Sequence, residues 1–204
     1  MPYLVEATAV FGDAHEAADA LQAAFLHVTS ALWTPASEEG PAGQASFDEL
    51  RTRLSRRTVA VGAWTHPAGK LRVNSGQWDR GEVETNLRQI EVIILALRTA
   101  VFREATRVWV NPTQQAGADA EGEIGEERWV LEAYGGANVK NNRKLADDAT
   151  ALRAQPGAYR KFFACRPSAW PKKDPSRALA EGTFIPRGDP EQDGVSVFEF
   201  KVAD

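Results

Sequence analysis

The sequence predicts an α/β fold in which a mixed sheet is flanked by helices, and two observations lead to that prediction. A helical period of three and four residues recurs through 82–104, and short apolar runs at 107–110, 127–134 and 159–166 have the length and composition of strands. Helical and strand segments alternate along this part of the chain, as they do in α/β proteins. With 204 residues, 43% of them hydrophobic, we expect a single domain.

Residues 1–80 are predicted to form an N-terminal extension made of a strand, a helix and a hairpin. Residues 3–11 have the pattern of a strand. The Ala-rich segment 15–33 has the period of an amphipathic helix, with Asp13 as its cap. Pro and Gly residues within 35–44 then indicate a polar loop.

The rest of the extension is predicted to be a short helix followed by the hairpin. Residues 47–57 have a helical pattern that ends in arginines. Residues 58–64 and 70–74 alternate between apolar and polar side chains on either side of 66–69, which contains Pro and Gly. Two alternating segments around such a turn are typical of a hairpin.

The core is predicted to span 82–166, in the order helix, strand, strand or turn, strand, helix, strand. Apolar residues cover one face of its first helix, 82–104, so that face must be buried. An acidic turn follows the first strand, and a second helix at 141–154 precedes the last strand. Residues 167–204 are predicted to form a C-terminal loop and strand.

The distribution of charge favours an anionic partner for the second half of the chain. The net charge is only −4, but residues 1–134 contain 12 Lys and Arg against 19 Asp and Glu, whereas residues 135–175 contain 9 against 3. A clustered basic segment is typical of proteins that bind phosphates, although solvated lysines in helices and loops give the same count. Nucleic acid is the expected partner, and a homodimer or a protein partner remains an alternative.

Several classes of protein are disfavoured by the composition. Cys165 is the only cysteine, so neither an intrachain disulfide nor a thiolate zinc site is expected. The three histidines lack metal-ligand spacing. Residues 1–11 carry no basic leader, and the apolar run 90–97 is too short to cross a membrane. We therefore expect a soluble, cytoplasmic protein without membrane contact.

Two acidic residues lie around the third strand of the core. Asp119 precedes the acidic turn, and Glu132 lies within the apolar strand 127–134, where an ionised group needs a partner or a metal. A hairpin would bring the two carboxylates side by side, and hard divalent cations prefer such oxygen ligands. The pair predicts a site for Mg²⁺ or Mn²⁺, with Glu91 of the first helix as a candidate third ligand. The alternatives are a solvated acidic loop for Asp119 and an exposed helical glutamate for Glu91.

Basic residues follow this strand and open the next predicted helix. Two glycines at 135–136 allow either close approach to a ligand or a simple turn, and Lys140, Arg143 and Lys144 come next. A lysine beside a bound phosphate stabilises charge on the phosphate or on the attacking water. Lys140 or Lys144 is therefore a candidate catalytic cation, and Arg143 is a candidate nucleic-acid ligand or a partner of Glu132.

A second basic group lies beside a tryptophan at 170–173. Trp170 precedes Lys172 and Lys173, and aromatic faces stack on bases while lysines attract phosphates. These residues predict nucleic-acid contact, with a lysine-rich loop as the alternative. Trp109 and Trp129 lie in apolar strands and are expected in the core.

The order of elements and the positions of the acids resemble the PD-(D/E)XK nuclease-like superfamily over residues 82–166. That family carries an acid near the second core strand and an acid-x-lysine triplet on the third. Asp119 matches the first acid, Glu132 the second, and Ala133 the variable residue whose carbonyl oxygen often completes the metal shell. Tyr134 departs from the pattern, because it stands where the family has lysine.

The resemblance implies a restriction-endonuclease-like core and magnesium-dependent hydrolysis of DNA or RNA phosphodiesters. Tyr134 cannot supply the usual fixed positive charge, since its side chain is a phenol. Two hypotheses therefore stay open. The protein is either a nuclease whose cation is Lys140 or Lys144, or a nuclease-like fold that binds nucleic acid or a protein without catalysis.

Overall fold

The computed structural model describes residues 3–33, 57–112, 117–136, 151–152, 154, 159–169 and 183–201. The strands there, in chain order, are β1 (Val5–Ala7), β2 (Phe11–Asp13), β3 (Thr58–Val61), β4 (Trp64–Thr65), β5 (Leu71–Val73), β6 (Gly76–Asp79), β7 (Ala105–Val110), β8 (Ala120–Ile124), β9 (Glu127–Tyr134), β10 (Tyr159–Cys165), β11 (Thr183–Arg187) and β12 (Ser196–Lys201). The helices are α1 (Ala14–Trp33), α2 (Arg80–Leu97) and α3 (Pro190–Asp193), with 3-10 turns at Ala100–Phe102 and Pro167–Ala169.

The largest sheet has seven strands in the order β11-β12-β10-β9-β8-β7-β2. β7, β8 and β9 form an antiparallel meander, and β10 lies parallel to β9. β12, β11 and β2 join their neighbours in antiparallel fashion. A parallel neighbour requires a crossover connection, and residues 151–152 and 154, which precede β10, are helical. The predicted α/β class with a mixed sheet flanked by helices is confirmed.

The two faces of the seven-stranded sheet bury different side chains. The first face lies under α1 and α2, and it receives Trp129 and Leu131 from β9 and Phe162 from β10. The second face receives the alternate residues, among them Val130 and Phe163, and packs against Leu152 of the helical segment before β10. Successive side chains of a strand point to opposite faces, so each strand contributes to both cores.

The predicted strand at 3–11 is wrong, because this segment forms two strands that belong to different sheets. β1 pairs with β5 in a three-stranded sheet, whereas β2 pairs with β7 at the edge of the large sheet. The amide of Thr8 donates to Lys70 O at 2.9 Å, which holds the chain beside β5 just before it leaves that sheet. The helix at 15–33 and its cap are confirmed, since α1 begins at Ala14 and Asp13 Oδ1 accepts from the amide of Glu16 at 2.8 Å.

The predicted hairpin is confirmed around its turn and is longer than expected. Trp64 lies opposite Val73 across β4 and β5, and Thr58 lies opposite Asp79 across β3 and β6. Both pairs follow one register, so β3–β4 and β5–β6 are the two arms of a single bent hairpin. The turn at 66–69 closes through the amide of Gly69, which donates to His66 O at 2.7 Å. β6 was not predicted.

The long helix of the core ends earlier than predicted. α2 begins at Arg80, where Asp79 Oδ1 accepts from the amides of Gly81 and Glu82, and it ends at Leu97 instead of near residue 104. The hydroxyl of Thr99 donates to Ala96 O at 2.8 Å, and a 3-10 turn follows. No Gly or Pro marks this end, and the apolar period continues beyond it, so the sequence carries no signal for the stop.

Three further predictions can be placed only in part. Most of the segment predicted as an acidic turn forms strand β8. The turn itself is only the two residues between Ile124 and Glu127. The loop at 35–44 and nearly all of the helix predicted at 47–57 lie outside the described residues, as does most of the helix predicted at 141–154. Within the part of the chain that the structure describes, no helix is long and apolar enough to cross a membrane.

Candidate active site

Asp119 is held in place by its own backbone and by both oxygens of its carboxylate. It lies directly before β8, and its carbonyl oxygen accepts from the amide of Asn111 at 2.8 Å, which continues the β7–β8 ladder by one step. Its Oδ2 accepts from the amide of Ala133 at 2.6 Å, and its Oδ1 accepts from Gln89 Nε2 on α2 at 2.5 Å. The side chain is buried. The direction of this carboxylate is therefore fixed by both the sheet and the helix.

The bond from Ala133 shows how Asp119 completes the sheet. Ala120 is the last residue of β8 to pair with β9, where it lies opposite Leu131. One step beyond this pair, the amide of Ala133 on β9 donates to the carboxylate of Asp119. Hydrogen bonds to an ionised acceptor are stronger than those between neutral groups, so this contact stabilises the end of the ladder.

Glu132 lies opposite Asp119 when the β8–β9 register is continued by one residue. Residues directly opposite in an antiparallel pair have Cβ atoms about 4.5–5.5 Å apart. Glu132 is 9% exposed and lies on the second face, between Val130 and Tyr134. Its neighbour on β10 is Phe163. Extending the register therefore puts the two predicted acids at neighbouring positions of adjacent strands, with the Asp119 carboxylate bonded to Gln89 and Ala133.

Glu91 lies on α2 but turns away from this pair. Its carboxylate forms an ion pair with the guanidinium of Arg166, the residue that follows β10. Residues two apart on a helix point about 200° apart, so Gln89 and Glu91 cannot both face Asp119. In this structure Gln89, and not Glu91, is the α2 residue that contacts Asp119.

The two glycines after β9 are required by packing. A Cβ on Gly135 would lie 2.7 Å from the backbone of Arg88 and Gln89 on α2, which is closer than real contacts allow. A Cβ on Gly136 would collide with the phenol ring of Tyr134. Neither glycine has a positive φ, so close approach and not backbone conformation explains both. Gly135 lets α2 come near enough for Gln89 to reach Asp119.

Lys161 is a buried cation that the sequence analysis missed. It lies on β10 opposite Val130, on the second face and two residues before the neighbour of Glu132. The side chain is only 4% exposed, and burial lowers the pKa of its ammonium group. Its alternation with Phe163 and Cys165, two apolar residues of the same parity, was the available signal for its burial.

The remaining predicted residues occupy parts of the chain that are not described. They are Lys140, Arg143, Lys144, Trp170, Lys172 and Lys173. Among the residues that are described, no three His, Cys, Asp or Glu side chains cluster closely enough to hold a metal ion by themselves.

Comparisons with known proteins add no further constraint. The chain matches no protein-family model, no curated protein and no solved structure. Its function is therefore inferred from the side chains and their surroundings.

Proposed function

We propose that this protein is a metal-dependent nuclease that hydrolyses phosphodiester bonds of DNA or RNA, with Asp119 and Glu132 as its acids. The observation that carries the proposal is that Asp119 and Glu132 come opposite each other when the β8–β9 register is extended by one residue beyond Ala120 and Leu131. Carboxylate oxygens are the ligands that hard divalent cations prefer. Two acids at neighbouring positions of adjacent strands therefore suit a shared divalent cation.

The order of elements around the pair supports a restriction-endonuclease-like core. α2 is followed by β7, β8 and β9, then by the helical residues 151–152 and 154, and then by β10. Asp119 precedes the second of these strands and Glu132 lies on the third. This is the arrangement on which the resemblance to the PD-(D/E)XK superfamily rests.

The donor atoms fit Mg²⁺ or Mn²⁺. Asp119 and Glu132 offer carboxylate oxygens, and the amide of Ala133 is directed towards Asp119. The N–H and C=O of a strand residue point to the same side, so the carbonyl oxygen of Ala133 is directed there as well. A bound divalent ion would polarise the phosphate and lower the pKa of its water. The chain itself supplies the alignment, because Gln89 and Ala133 fix the carboxylate of Asp119.

A cation for the phosphate has two candidate sources in the chain. Lys140 and Lys144 follow β9 in the sequence, outside the described residues. Lys161 shares the second face with Glu132 and lies on the adjacent strand. Either source replaces the positive charge that Tyr134 does not carry.

The test is cleavage of labelled single- and double-stranded DNA and RNA with Mg²⁺ or Mn²⁺ by the native protein and by Glu132→Gln. Glutamine keeps the shape of the side chain and removes its charge, so cleavage should fall by roughly 100-fold or more, because a catalytic metal contributes several kcal/mol. Glu126→Gln, an exposed acid in the turn of the same hairpin, is the matched control and should cleave like the native protein. Equal cleavage by Glu132→Gln and the native protein would contradict the proposal.

A second measurement addresses metal binding without turnover. Mg²⁺ or Mn²⁺ should raise the melting temperature of the native protein and of Glu126→Gln, but not of Glu132→Gln, because a ligand that binds only the folded state stabilises it. Asp119→Asn is less informative here, since it also disturbs the hydrogen bonds from Gln89 and Ala133.

The alternative function is nucleic-acid binding without catalysis, and Tyr134 favours it. Its ring lies in the buried cluster of the second face and closes over Gly136, where the family carries a lysine. On this alternative the native protein would show neither cleavage nor a metal-dependent shift, but its binding to nucleic acid would weaken as salt rises.

A further inference from the structure

A groove of about 360 Å³ opens on the second face of the seven-stranded sheet, away from the buried cluster. It lies over the β7–β8–β9 end of the sheet and reaches the exposed Val10, which precedes β2. Its other lining residues are Arg107, Trp109, Glu121, Gly122, Glu123 and Arg128. This volume is at the lower end of the range of small-molecule sites, about 300–1,000 Å³, and suits one nucleotide.

A β-bulge aims Arg107 at this groove. Thr106 lies opposite Glu123 and Trp109 opposite Glu121, so β7 uses one more residue than β8 between the two pairs. The extra residue is Arg107, whose φ of 52° makes it the one non-glycine with a positive φ among the described residues. A long cationic side chain in this conformation is strained, and bulges of this kind redirect side chains near functional sites.

The bulge also turns Trp109 towards the groove. Ala105, Val108 and Val110 of β7 are buried on the first face, whereas Trp109 is half-buried and lines the groove. Trp129, its counterpart on β9, is fully buried on the first face. The expectation that both tryptophans belong to the core is therefore met by Trp129 and not by Trp109.

Glu121 lies beside this indole with its carboxylate directed to the same groove. It is the registered neighbour of Trp109, and such pairs have Cβ atoms about 4.5–5.5 Å apart. Among the described residues Glu123 is in an ion pair with Arg107 at 3.6 Å, but no hydrogen bond or ion pair is present at Glu121. If the planar ring of a ligand stacked on Trp109, the edge of that ring would lie next to the carboxylate of Glu121. This carboxylate could then accept a hydrogen bond from the ligand.

Arg128 supplies a second guanidinium on the opposite wall. It lies 4.5 Å from the centroid of the Tyr159 ring, a cation–π contact that holds its side chain over β10 while leaving it exposed. Arg107 is also exposed. Proteins that bind single-stranded nucleic acid combine an aromatic ring, on which a base stacks, with cationic side chains that contact the phosphates. An indole flanked by two exposed guanidinium groups provides that combination.

The groove lies in line with the proposed acid pair. Glu121 is two residues from Asp119, and Arg128 is four residues from Glu132, along the same two strands. Two residues of strand span about 6.6–6.8 Å, which is also about the spacing of neighbouring nucleotides in an extended single strand. A strand crossing the acid pair would therefore place a flanking base over Trp109.

We propose that this groove binds one nucleotide of a single-stranded nucleic acid, next to the phosphate that is cleaved. The base stacks on Trp109, its exocyclic amino group donates to Glu121, and Arg107 and Arg128 contact the flanking phosphates. Cytosine, adenine and guanine carry such an amino group and thymine and uracil do not, so the site prefers the former. This inference rests on the proposed function and gives it a substrate class.

The test is the binding of labelled short oligodeoxycytidine and oligothymidine to the full chain in buffer free of divalent cations. Trp109→Ala should weaken binding of oligodeoxycytidine about tenfold, and Trp109→Phe should restore most of it, because stacking requires only an aromatic face. Trp64→Ala is the matched control, since Trp64 is a half-buried tryptophan on the separate hairpin, stacked 6.0 Å from His27. It should bind like the native protein.

Glu121→Ala separates recognition from folding. Loss of the carboxylate should remove the preference for oligodeoxycytidine while leaving oligothymidine binding equal or tighter, because a negative charge beside the phosphates is removed. A merely structural role would weaken both equally. Unchanged binding by Trp109→Ala, equal loss in Trp64→Ala, or no binding of either oligonucleotide by the native protein would overturn the proposal. Absence of cleavage would instead contradict the proposed function, because binding is measured without metal.

Discussion

The two faces of the seven-stranded sheet differ in what they are made of. The first face is covered by α1 and α2 and is largely apolar, from the alanines of α1 to the packed rings of Phe102, Trp129 and Phe162. The second face has a smaller apolar cluster around Phe163, and the same face carries Glu132, Lys161 and the charged groove.

The difference indicates that stability and chemistry are separated by the sheet. Burying an ionisable group costs free energy even when the group has a partner, so a fold accommodates such groups where the opposite face supplies enough apolar burial. One strand shows the division well, since β9 contributes Trp129 to the first face and Glu132 to the second. Three changes test this separation.

The largest effect is expected from Phe162→Ala, compared with Phe163→Ala. Both side chains are fully buried and adjacent on β10, but Phe162 packs against Phe102 at 5.0 Å between ring centroids, inside the larger cluster. Phe162→Ala should lower the free energy of unfolding by about 3–5 kcal/mol, the range for a phenylalanine removed from a core. Phe163→Ala should lower the free energy of unfolding by less than Phe162→Ala does, and it should reduce cleavage by more. Denaturant unfolding of both variants measures the change in stability, and the cleavage assay measures the change in activity.

The separation would be broken by the opposite ranking. If Phe163→Ala destabilises the chain more than Phe162→Ala, the second face is the main source of stability. The charged residues there would then be parts of a structural network.

A smaller effect is expected from Gly135→Ala, which tests the contact between α2 and the end of β9. The added Cβ would meet α2 backbone at 2.7 Å, and backbone cannot move aside as a flexible side chain can. The cost should be about 1–3 kcal/mol, with a weaker metal-dependent shift because Gln89 would be displaced from Asp119. Gly62→Ala is the control. Nothing lies within 4 Å of a Cβ there, so the melting temperature of this variant should be unchanged or slightly higher.

If Gly135→Ala leaves stability unchanged but abolishes the metal-dependent shift, the glycine serves a ligand and not the helix. That result would restore the first of the two interpretations that the sequence allowed for 135–136.

The sequence was sufficient for elements whose signal is local. α1, its cap at Asp13 and β9 follow from period and residue type, and the structure has them within one residue of the prediction. β1 and β2 could not be separated, because the exchange between sheets depends on β5 and β7, which are distant in the chain. The end of α2 was missed for a similar reason, since Phe102 is held by packing against Trp129.

The candidate site likewise contains features that the local sequence predicts and features that depend on contacts between distant residues. The hairpin that puts Asp119 and Glu132 on adjacent strands was foreseeable, because only a short turn separates the two strands. Gln89 was not, since nothing in its spacing distinguishes it from an exposed helical glutamine. Trp109 was assigned to the core because its strand is apolar, and only the extra residue in β7 turns it outward. A bulge depends on the register of two strands, and one strand alone does not reveal it.

The smallest effect is expected from Glu199→Gln. This variant removes the charge of Glu199, a buried acid on the largely apolar first face. Glu199 is buried at the β10–β12 end, where Oε1 accepts from Arg160 Nε at 2.9 Å and Oε2 accepts from Arg187 Nε at 3.2 Å. Burial alone would raise the pKa of Glu199, but the two guanidinium groups outweigh it and lower that pKa below its ordinary value of 4.5. The ionised form is therefore the one that folding favours.

The pH dependence follows from this direction. Because the pKa is lower in the folded chain than in the unfolded chain, the stabilisation is fully present above pH 4.5 and is lost as the pH falls from 4.5 through the folded-state pKa. Glu199→Gln should lower the free energy of unfolding at neutral pH by about 1 kcal/mol, with little difference from the native protein in strong acid. Urea unfolding across this pH range measures it, with Glu16→Gln at the more exposed ion pair to Lys70 as a control that should lose less.

The same variant separates the two faces in function. Glu199→Gln should leave oligonucleotide binding and cleavage unchanged, whereas Glu121→Ala should change binding and leave stability nearly unchanged. Both remove one carboxylate from the same sheet, but Glu199 is held between two arginines and Glu121 faces an open groove. If Glu199→Gln also weakens binding, the charges of the two faces are coupled through β10, and the division between a stabilising face and a functional face does not hold.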